Sequence, residues 1–270
     1  WPEVVGTISG DDTLFVYPQA RTKSISPEIE YNRLWPQYTA IDPGFSDDCG
    51  IVFIQEDPAN GWVDILDSYS NARKVADFYG SILSGQPESG RDWEYDPDAL
   101  RLMPWMEVRH AHGVTFYGDM YGFTQDGATA DSFYSRLNKY NIHVRRDRQP
   151  DGTIAQRRKE ARTFNGRHDA LRELMPRLRF ANTPGAMFVL EALRQHQYAD
   201  YGDRPVATEQ RKPLHDWTSH VVSALEYYAV NRVLEAKRHD IYLNRPPKPS
   251  RLNQVRRRDN YERWQERQAG

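Results

Sequence analysis

Three aspartates stand at comparable positions in the sequence, each at the boundary of an expected structural element. Asp42 ends the short apolar run QYTAID, and Asp119 ends the later run GVTFYGD. Asp216 begins the clearest helical pattern of the chain, where an aspartate can cap the helix N-terminus. A buried carboxylate is costly unless it is paired, hydrogen-bonded or bound to a cation. If the three carboxylates gather at one end of a sheet, they predict a site for Mg²⁺ or Mn²⁺. Two such ions about 4 Å apart can catalyse the hydrolysis of a phosphodiester.

The final helical pattern places further polar side chains beside these aspartates. Asp216, His220, Ser223 and Tyr227 follow the spacing i, i+4, i+7, i+11 and share one helical face. On that face His220 can hold a metal-bound water. Alternatively, it can hydrogen-bond an aspartate and so orient a metal ligand without binding the metal itself. His215 can contact a substrate or simply cap the helix. The alternative is that Asp216 is only a helix cap and His220 an ordinary hydrogen-bonded residue.

Positive charge is concentrated in two segments of a chain whose net charge is −2. Residues 145–172 contain nine Lys and Arg against four Asp and Glu, and residues 245–270 contain eight against three. Beside an acidic site, such a run is suited to DNA phosphates, although a solvated basic face is the alternative. Without a cluster of base-reading residues, little sequence preference is expected. The residues predicted to contact DNA are Arg145, Arg146, Arg148, Arg157, Arg158, Lys159 and Arg162.

The hydrophobic pattern predicts an α/β fold, a mixed sheet with helices on its faces. Runs at 37–42, 50–55 and 62–70 indicate three strands of an antiparallel meander. A fourth strand at 113–119 is expected beside the first, which would bring Asp42 and Asp119 to one end of the sheet. The remaining expected elements are helices at 72–83, 131–140, 154–175 (in two pieces broken near Gly166), 186–198 and 215–237, strands at 141–145 and 177–181, and a polar stretch at 86–104.

Whole-chain features exclude several other classes of protein. Cys49 is the single cysteine among 270 residues, which excludes an intrachain disulfide and a thiolate zinc cluster and fits a reducing cytosol. No apolar run is long enough to span a membrane, and no signal peptide is recognisable. His110 and His112 form an H-x-H pair, which indicates a polar loop more than a metal site. The chain begins with Trp1 rather than Met, which suggests a piece of a longer protein.

The motifs AIDPG, FYGDMYG and HDWTSHVVSALEYY, in this order, resemble the nuclease domain of bacteriophage terminase large subunits, of the RNase H-like superfamily. The segment RRKEARTFNGRHDALRELMPRLRF also resembles that family, and the resemblance covers residues 37–235. It implies a central mixed sheet of five or more strands flanked by helices. It further implies two-metal cleavage of concatemeric double-stranded DNA during viral genome packaging, with Asp42, Asp119 and Asp216 holding two Mg²⁺ or Mn²⁺ ions. His220, His215 and Ser223 would support these ligands.

The resemblance also implies a division of the chain and a set of partners. Residues 1–36 would be a lead-in from a missing N-terminal ATPase domain, 37–240 the nuclease domain and 241–270 a basic, flexible tail. No G-x-x-x-x-G-K-[ST] loop is present, so no ATP hydrolysis is expected. Many relatives carry a second acidic residue where this chain has Ser223. Portal protein, small terminase subunit and DNA would be the partners, in the host bacterial cytoplasm, with the isolated domain monomeric.

Two other hypotheses remain open at this stage. A junction resolvase or transposase-like nuclease would keep the fold and the acidic site, and it would prefer branched DNA. A non-catalytic docking module would bind DNA, portal or small terminase through its basic tail and would not cut. The three aspartates at element boundaries favour a nuclease over a docking module.

Overall fold

A computed structural model describes residues 14–44, 48–87, 94–125, 131–145, 164–200 and 211–238, without the side chains of 164, 165 and 233–238. Its central sheet has five strands, which in sheet order are β4 (Thr115–Gly118), β1 (Gln37–Asp42), β2 (Asp48–Glu56), β3 (Val63–Ala72) and β5 (Leu178–Phe180). The strands β1, β2 and β3 are antiparallel neighbours, whereas β4 runs parallel to β1 and β5 parallel to β3. The expected meander with the fourth strand beside the first is confirmed.

Helices cover both faces of this five-stranded sheet, so the α/β fold class is confirmed. The helices are α1 (Ala76–Ser84), α2 (Pro97–Ala111), α3 (Phe133–Leu137), α4 (Phe164–Leu174), α5 (Pro184–Gln195) and α6 (Ser219–Arg238), with 3₁₀ turns at Pro18–Thr22, Met120–Phe123, Asn138–Tyr140 and Met175–Arg177. One hydrophobic layer is built with α1, α2 and α3, and the opposite layer with α4, α5 and α6. None of the described helices combines the length and apolarity that crossing a membrane requires.

The alternation of side chains along β1 decides which helices Asp42 faces. Tyr38 and Ala40 belong to the core layer that contains α6, whereas Ile41 belongs to the layer of α1–α3. Side chains of a strand alternate between its two faces. Asp42, two residues after Ala40, therefore lies on the α6 side of the sheet.

The stretch at 86–104 does not stay polar and irregular, because α2 begins at Pro97 within it. Asp96 caps this helix by accepting a hydrogen bond from the backbone N–H of Ala99 at 2.8 Å, and proline suits the first helical position. Pro104 lies inside the helix, where proline removes a backbone hydrogen bond. Arg109 anchors the helix by donating to the hydroxyl of Thr39 at 2.6 Å and to two strand carbonyls. Tertiary packing therefore outweighs the local signal of the proline.

Three other expected elements differ from the structure. Residues 141–145 form only an isolated bridge, between Phe116 and Val144, rather than a strand. Gly166 does not break a helix, since α4 is continuous from Phe164, and the expected helical residues 154–163 lie outside the described part. The last helix begins at Ser219, four residues later than expected.

Residues 14–36, expected as a lead-in, pack against the α4–α6 layer. Val16, Tyr17 and Ala20 are fully buried in its hydrophobic core. Ile25 forms an isolated bridge to Phe180 of β5, and Phe15 forms one to Gln197, which follows α5, so the segment is tied to this layer at two points. The division of the chain into lead-in, nuclease domain and tail stays a prediction, and residues 1–13 and 239–270 lie outside the described residues.

Candidate active site

Asp42 and Asp119 lie side by side at the end shared by two parallel strands. Ile41 of β1 is paired with Gly118 of β4, and the backbone N–H of Asp119 donates to the carbonyl of Ile41 at 3.3 Å. The carboxylate of Asp119 also accepts from the N–H of Tyr121 at 3.2 Å, which fixes the turn after β4. The sequence prediction that these two aspartates meet at one end of the sheet agrees with this geometry.

His220 joins this pair from the first turn of α6. Its Nδ1 lies 3.0 Å from Oδ2 of Asp42, and both side chains are largely buried, with 13% and 14% of their surfaces exposed. Because an ionised carboxylate can only accept, Nδ1 carries the hydrogen and donates. Burial raises the pKa of Asp42, and the hydrogen bond and charge of His220 oppose that rise. The negative charge of Asp119 raises the same pKa further, and Arg167 lowers it.

Gly50 makes the approach of α6 to the sheet possible. It is the β2 partner of Asp42, and a Cβ at this position would lie 2.5 Å from the backbone carbonyl of His220 and 2.7 Å from the nitrogen of Val221. The start of α6 therefore rests directly on the strand backbone, which puts His220 within reach of Asp42. Gly50 is not among the residues predicted from sequence. A lone glycine at the start of an apolar strand was the signal, since it marks close backbone approach.

Asp216 is turned toward the residues that follow it. Its Oδ1 accepts from the N–H of Thr218 at 2.9 Å and from the hydroxyl of Thr218 at 2.6 Å. That hydroxyl in turn accepts from Nδ1 of His196 at 2.7 Å. The carboxylate therefore caps the turn that leads into α6, which agrees with the capping alternative weighed from the sequence. Its role as a third metal ligand stays a prediction.

Two residues that the sequence prediction leaves out of the site, Tyr134 of α3 and Arg167 of α4, interact electrostatically with Asp42 and Asp119. Arg167 of α4 is 8% exposed, and its guanidinium donates to the hydroxyl of Tyr227 and lies 4.8 Å from the centroid of that ring. The hydroxyl of Tyr134 of α3 lies 3.4 Å from the carbonyl of Ile41. Burial is the main cause of the raised pKa values of Tyr134 and Tyr227, and Asp42 and Asp119 raise them further. Their hydroxyls therefore stay protonated beside the acids.

The remaining supporting residues lie near the pair without a described contact to it. His215 is exposed, and its ring centroid lies 5.3 Å from that of His220. Ser223 is half-buried, one turn further along α6. His110 belongs to α2 and His112 caps it, so the predicted polar loop at this H-x-H pair was wrong.

Of the predicted DNA contacts, only Arg145 belongs to the described residues. Its backbone N–H donates to the carbonyl of Phe116 at 2.9 Å, and its guanidinium lies 5.9 Å from the ring centroid of Tyr117. This places Arg145 beside β4, the strand that leads to Asp119. The DNA-binding role of the whole set stays a prediction, and outside the described residues lie Arg146, Arg148, Arg157, Arg158, Lys159 and Arg162.

Asp42 and Asp119 form the donor set that the structure describes at this edge. Their carboxylate oxygens are hard ligands that suit Mg²⁺ or Mn²⁺. Asp216 uses one carboxylate oxygen, Oδ1, in its cap. Within the described part of the chain, no three His, Cys, Asp or Glu side chains stand close enough together to hold a metal.

Among known proteins, only solved structures are found to be similar to this chain. No protein-family profile matches the chain, and no curated protein matches it. The large terminase of a thermophilic bacteriophage aligns with a TM-score of 0.49 and 14% identity over 82% of this chain and 45% of its own. The P22 large terminase nuclease domain aligns with a TM-score of 0.47 and 14% identity over 83% of this chain and 90% of its own. The chain thus spans less than half of the thermophilic phage protein.

Proposed function

We propose that this chain is a metal-dependent endonuclease that cuts concatemeric double-stranded viral DNA during genome packaging. The observation that carries the proposal is the position of Asp42 and Asp119 next to the last paired residues, Ile41 and Gly118, at the common end of β1 and β4. Two adjacent carboxylates repel each other, and a divalent cation is the ligand that relieves this repulsion most directly. The contact from His220 favours the ionised form of Asp42, which is the form that a metal requires, against the effect of burial.

The reaction is the hydrolysis of one phosphodiester bond. The oxygen of water forms a bond to phosphorus, the bond from phosphorus to the 3′ oxygen breaks, and one proton passes from water to that oxygen. A divalent ion at the pair would act as a Lewis acid on the phosphate and on water. Asp42 and Asp119 would hold it, while His220 fixes the orientation of Asp42 by its hydrogen bond at 3.0 Å. Tyr134 and Tyr227 would border the site as neutral hydroxyls.

The biological setting is part of the proposal. The solved structures with a similar fold carry the names of large terminases, one from a thermophilic bacteriophage and one from P22. By analogy, this chain would act within a packaging motor in the host cytoplasm, with portal protein and small terminase subunit as partners. The basic residues around Arg145 would contact DNA phosphates and offset repulsion between the acidic site and the backbone.

Conversion of supercoiled plasmid to nicked and linear DNA tests the proposal. Cutting is expected with Mg²⁺ or Mn²⁺ and not with EDTA, and Asp42→Asn and Asp119→Asn are each expected to reduce it by at least about 100-fold. Asp169→Asn, which changes an exposed aspartate of α4, is the matched control and should cut normally. Metal-independent cutting, or full activity of Asp42→Asn, would contradict the proposal. A preference for branched over linear duplex DNA would favour a resolvase instead.

Asp216→Asn tests the third expected ligand separately. Asparagine keeps a side-chain oxygen that can accept from Thr218, so the turn before α6 should survive. Loss of cutting in a folded Asp216→Asn variant would assign the negative charge itself a part in the reaction. Unchanged cutting would leave Asp216 as the cap that its contacts describe.

A further inference from the structure

Tyr121 presents an exposed aromatic ring beside one of the two acidic residues of the site. The residue is 73% exposed, whereas tyrosines in folded proteins are usually of intermediate burial. Its backbone N–H donates to Oδ1 of Asp119 at 3.2 Å, so the ring follows that carboxylate by only two residues. A ligand that reaches Asp119 therefore also comes close to the ring.

The turn that carries Tyr121 is held in place by its other residues. Tyr121 belongs to the 3₁₀ turn Met120–Phe123, in which Gly122 is buried and a Cβ on Gly122 would meet the ring of Tyr134. Phe123 packs against the same ring, and the two ring centroids lie 4.6 Å apart. Tyr134 itself is 1% exposed. The position of the turn is thus fixed without the ring of Tyr121, which stays exposed at its surface.

Arg145 adds positive charge on this side of the sheet. Its backbone N–H donates to the carbonyl of Phe116 in β4 at 2.9 Å, and its guanidinium lies 5.9 Å from the ring centroid of Tyr117. Both Arg145 and Tyr121 therefore border the strand that leads to Asp119. Proteins that bind single-stranded nucleic acid combine such groups, because a cation contacts the phosphates and an aromatic ring stacks on a base.

Exposure alone does not assign a role to Tyr121. Leu34 is exposed to the same degree, at 74%, but it precedes β1 and lies near the opposite end of that strand from Asp42. Under the proposed function, a phosphodiester of DNA reaches the carboxylates of Asp42 and Asp119. Because the phosphates of one strand follow each other about every 3.4 Å along the axis, the nucleotides next to the cut come within reach of Tyr121.

We propose that the ring of Tyr121 stacks on an unpaired base next to the phosphodiester that is cut. The inference rests on the proposed function and narrows its substrate to DNA whose strands are separated locally at the cut. In an intact duplex both faces of a base are covered by its neighbours, so only an unpaired base offers a face to the ring. Arg145 is placed to contact the phosphates of the same strand.

Fluorescence anisotropy of labelled DNA with the full chain, in EDTA and at low salt, measures this contact without cutting. Two probes are compared, a blunt duplex and the same duplex with a central stretch of unpaired bases. The wild-type chain is expected to bind the probe with unpaired bases more tightly. Tyr121→Ala should weaken binding of that probe about 5- to 100-fold, the usual effect of losing one stacking residue, and should change binding of the blunt duplex less than about twofold.

Further variants distinguish the ring from the hydroxyl and from apolar surface in general. Tyr121→Phe keeps the ring and should bind both probes as the wild type does. Tyr121→Leu keeps an apolar side chain without an aromatic face and should lose affinity as Tyr121→Ala does. Leu34→Ala is the matched control, since it removes an equally exposed side chain away from the site, and it should leave binding of both probes unchanged.

The outcomes separate this inference from the proposed function. Equal affinity of the wild type for the two probes, or no DNA binding at low salt, would overturn the inference, whereas plasmid cutting with Mg²⁺ or Mn²⁺ decides the nuclease separately. Unchanged binding by Tyr121→Ala would also overturn it and leave the ring to a protein partner. A loss in Tyr121→Phe as large as in Tyr121→Ala would assign the contact to the hydroxyl instead. The comparison of probes needs no variant, so it decides even where a variant does not fold.

Discussion

At the residue scale, Asp42 is held between two opposing effects. Burial and the neighbouring charge of Asp119 raise its pKa, whereas the hydrogen bond and charge of His220 lower it, as does Arg167. A metal binds the ionised carboxylate and not the protonated acid. If the site binds a cation as proposed, the residues around Asp42 would set the pH above which it is held.

His220→Ala is expected to weaken Mn²⁺ binding about 10- to 100-fold at neutral pH, the usual effect of losing a hydrogen-bond partner of a metal ligand. The pKa of Asp42 should rise, so the pH of half-maximal binding should move upward. The measurement is Mn²⁺ affinity between pH 5 and 9. His143→Ala removes an exposed histidine that bonds only Asn138 among its described contacts, and serves as control. An unshifted pH profile in His220→Ala would show that the contact does not control Asp42.

Glu226 is a second carboxyl governed by burial, and it lies outside the acidic pair. Tyr17 donates to it at 2.6 Å, and Arg167 and His168 lie within 3.4 Å of its oxygens. Burial raises its pKa to about 7, an effect that Arg167, Tyr17 and Arg172 oppose and Asp42 strengthens. His168 does not supply a charge here, because burial lowers its pKa to about 3.

This shift makes the free energy of unfolding depend on pH. Between about pH 4.5 and 7 the folded chain keeps the proton on Glu226 and the unfolded chain loses it, so stability falls as pH rises through this window. The loss amounts to as much as about 3 kcal/mol. Glu226→Gln keeps an acceptor for Tyr17 and should flatten the dependence. Urea unfolding at pH 5 and pH 8 gives the free energy of unfolding of both proteins at each pH. If this free energy changes equally with pH in the wild type and in Glu226→Gln, the assignment to Glu226 is contradicted.

At the scale of elements, α6 is fastened to the sheet at two places. Near its start, His220 bonds Asp42 and the helix backbone rests on Gly50. Further along, Glu56 of β2 accepts from Tyr228 at 2.5 Å and from Arg232 at 2.5 and 2.7 Å. These contacts fix the orientation of the helix across the sheet and so the position of every polar residue on its inner face.

Gly50→Ala should therefore disturb the site as well as stability. The added methyl group meets helix backbone that cannot rotate away, which typically costs about 1–3 kcal/mol. Mn²⁺ affinity should fall with it, because His220 is pushed from Asp42. Gly113→Ala is the matched control: its φ of +85° strains an alanine, but no neighbouring atom lies within 4 Å. Thermal melts and Mn²⁺ titrations of both variants test this prediction. If Gly50→Ala and Gly113→Ala bind Mn²⁺ with equal affinity, Gly50 does not position His220 for the site.

The same elements show what the sequence could and could not predict. The position of β4 beside β1 was predictable, since two apolar runs each end on an aspartate and parallel strands end at one edge. The helix α2 was missed because Pro104 and the charged residues around it hide the helical pattern in the sequence. Its contacts become visible only in the fold, where Arg109 bonds Thr39 and the apolar side chains enter the core. The cap made by Asp216 stayed open for another reason. Whether a carboxylate faces its own turn or a distant strand depends on packing that no local pattern records.

At the scale of the whole molecule, residues 14–36 are part of the packed body. The carbonyl of Val16 accepts from Arg172, and its N–H donates to the carbonyl of His196 at 3.0 Å. The ring of Tyr17 is fully buried, and its hydroxyl reaches Glu226 on α6. The polar, turn-rich composition of this segment predicted a lead-in. The three buried side chains lie within five residues and form no periodic pattern, so the sequence did not indicate that the segment packs into the core. The N-terminal segment is thus connected to the same helix that carries His220.

A chain that begins at Gln37 is therefore expected to fold poorly, although the sequence places a domain boundary there. Removing the buried side chains of Val16, Tyr17 and Ala20 takes away several kcal/mol of burial, a large part of the stability of an ordinary domain. It also takes one hydrogen-bond partner each from Arg172 and Glu226. A chain that begins at Leu14 is the matched control, because it keeps every described residue of this segment. Circular dichroism melts of the two truncations compare them. If the shorter one melts at the same temperature as the longer, residues 14–36 are a detachable lead-in and the contacts from α4 are enough to hold Glu226.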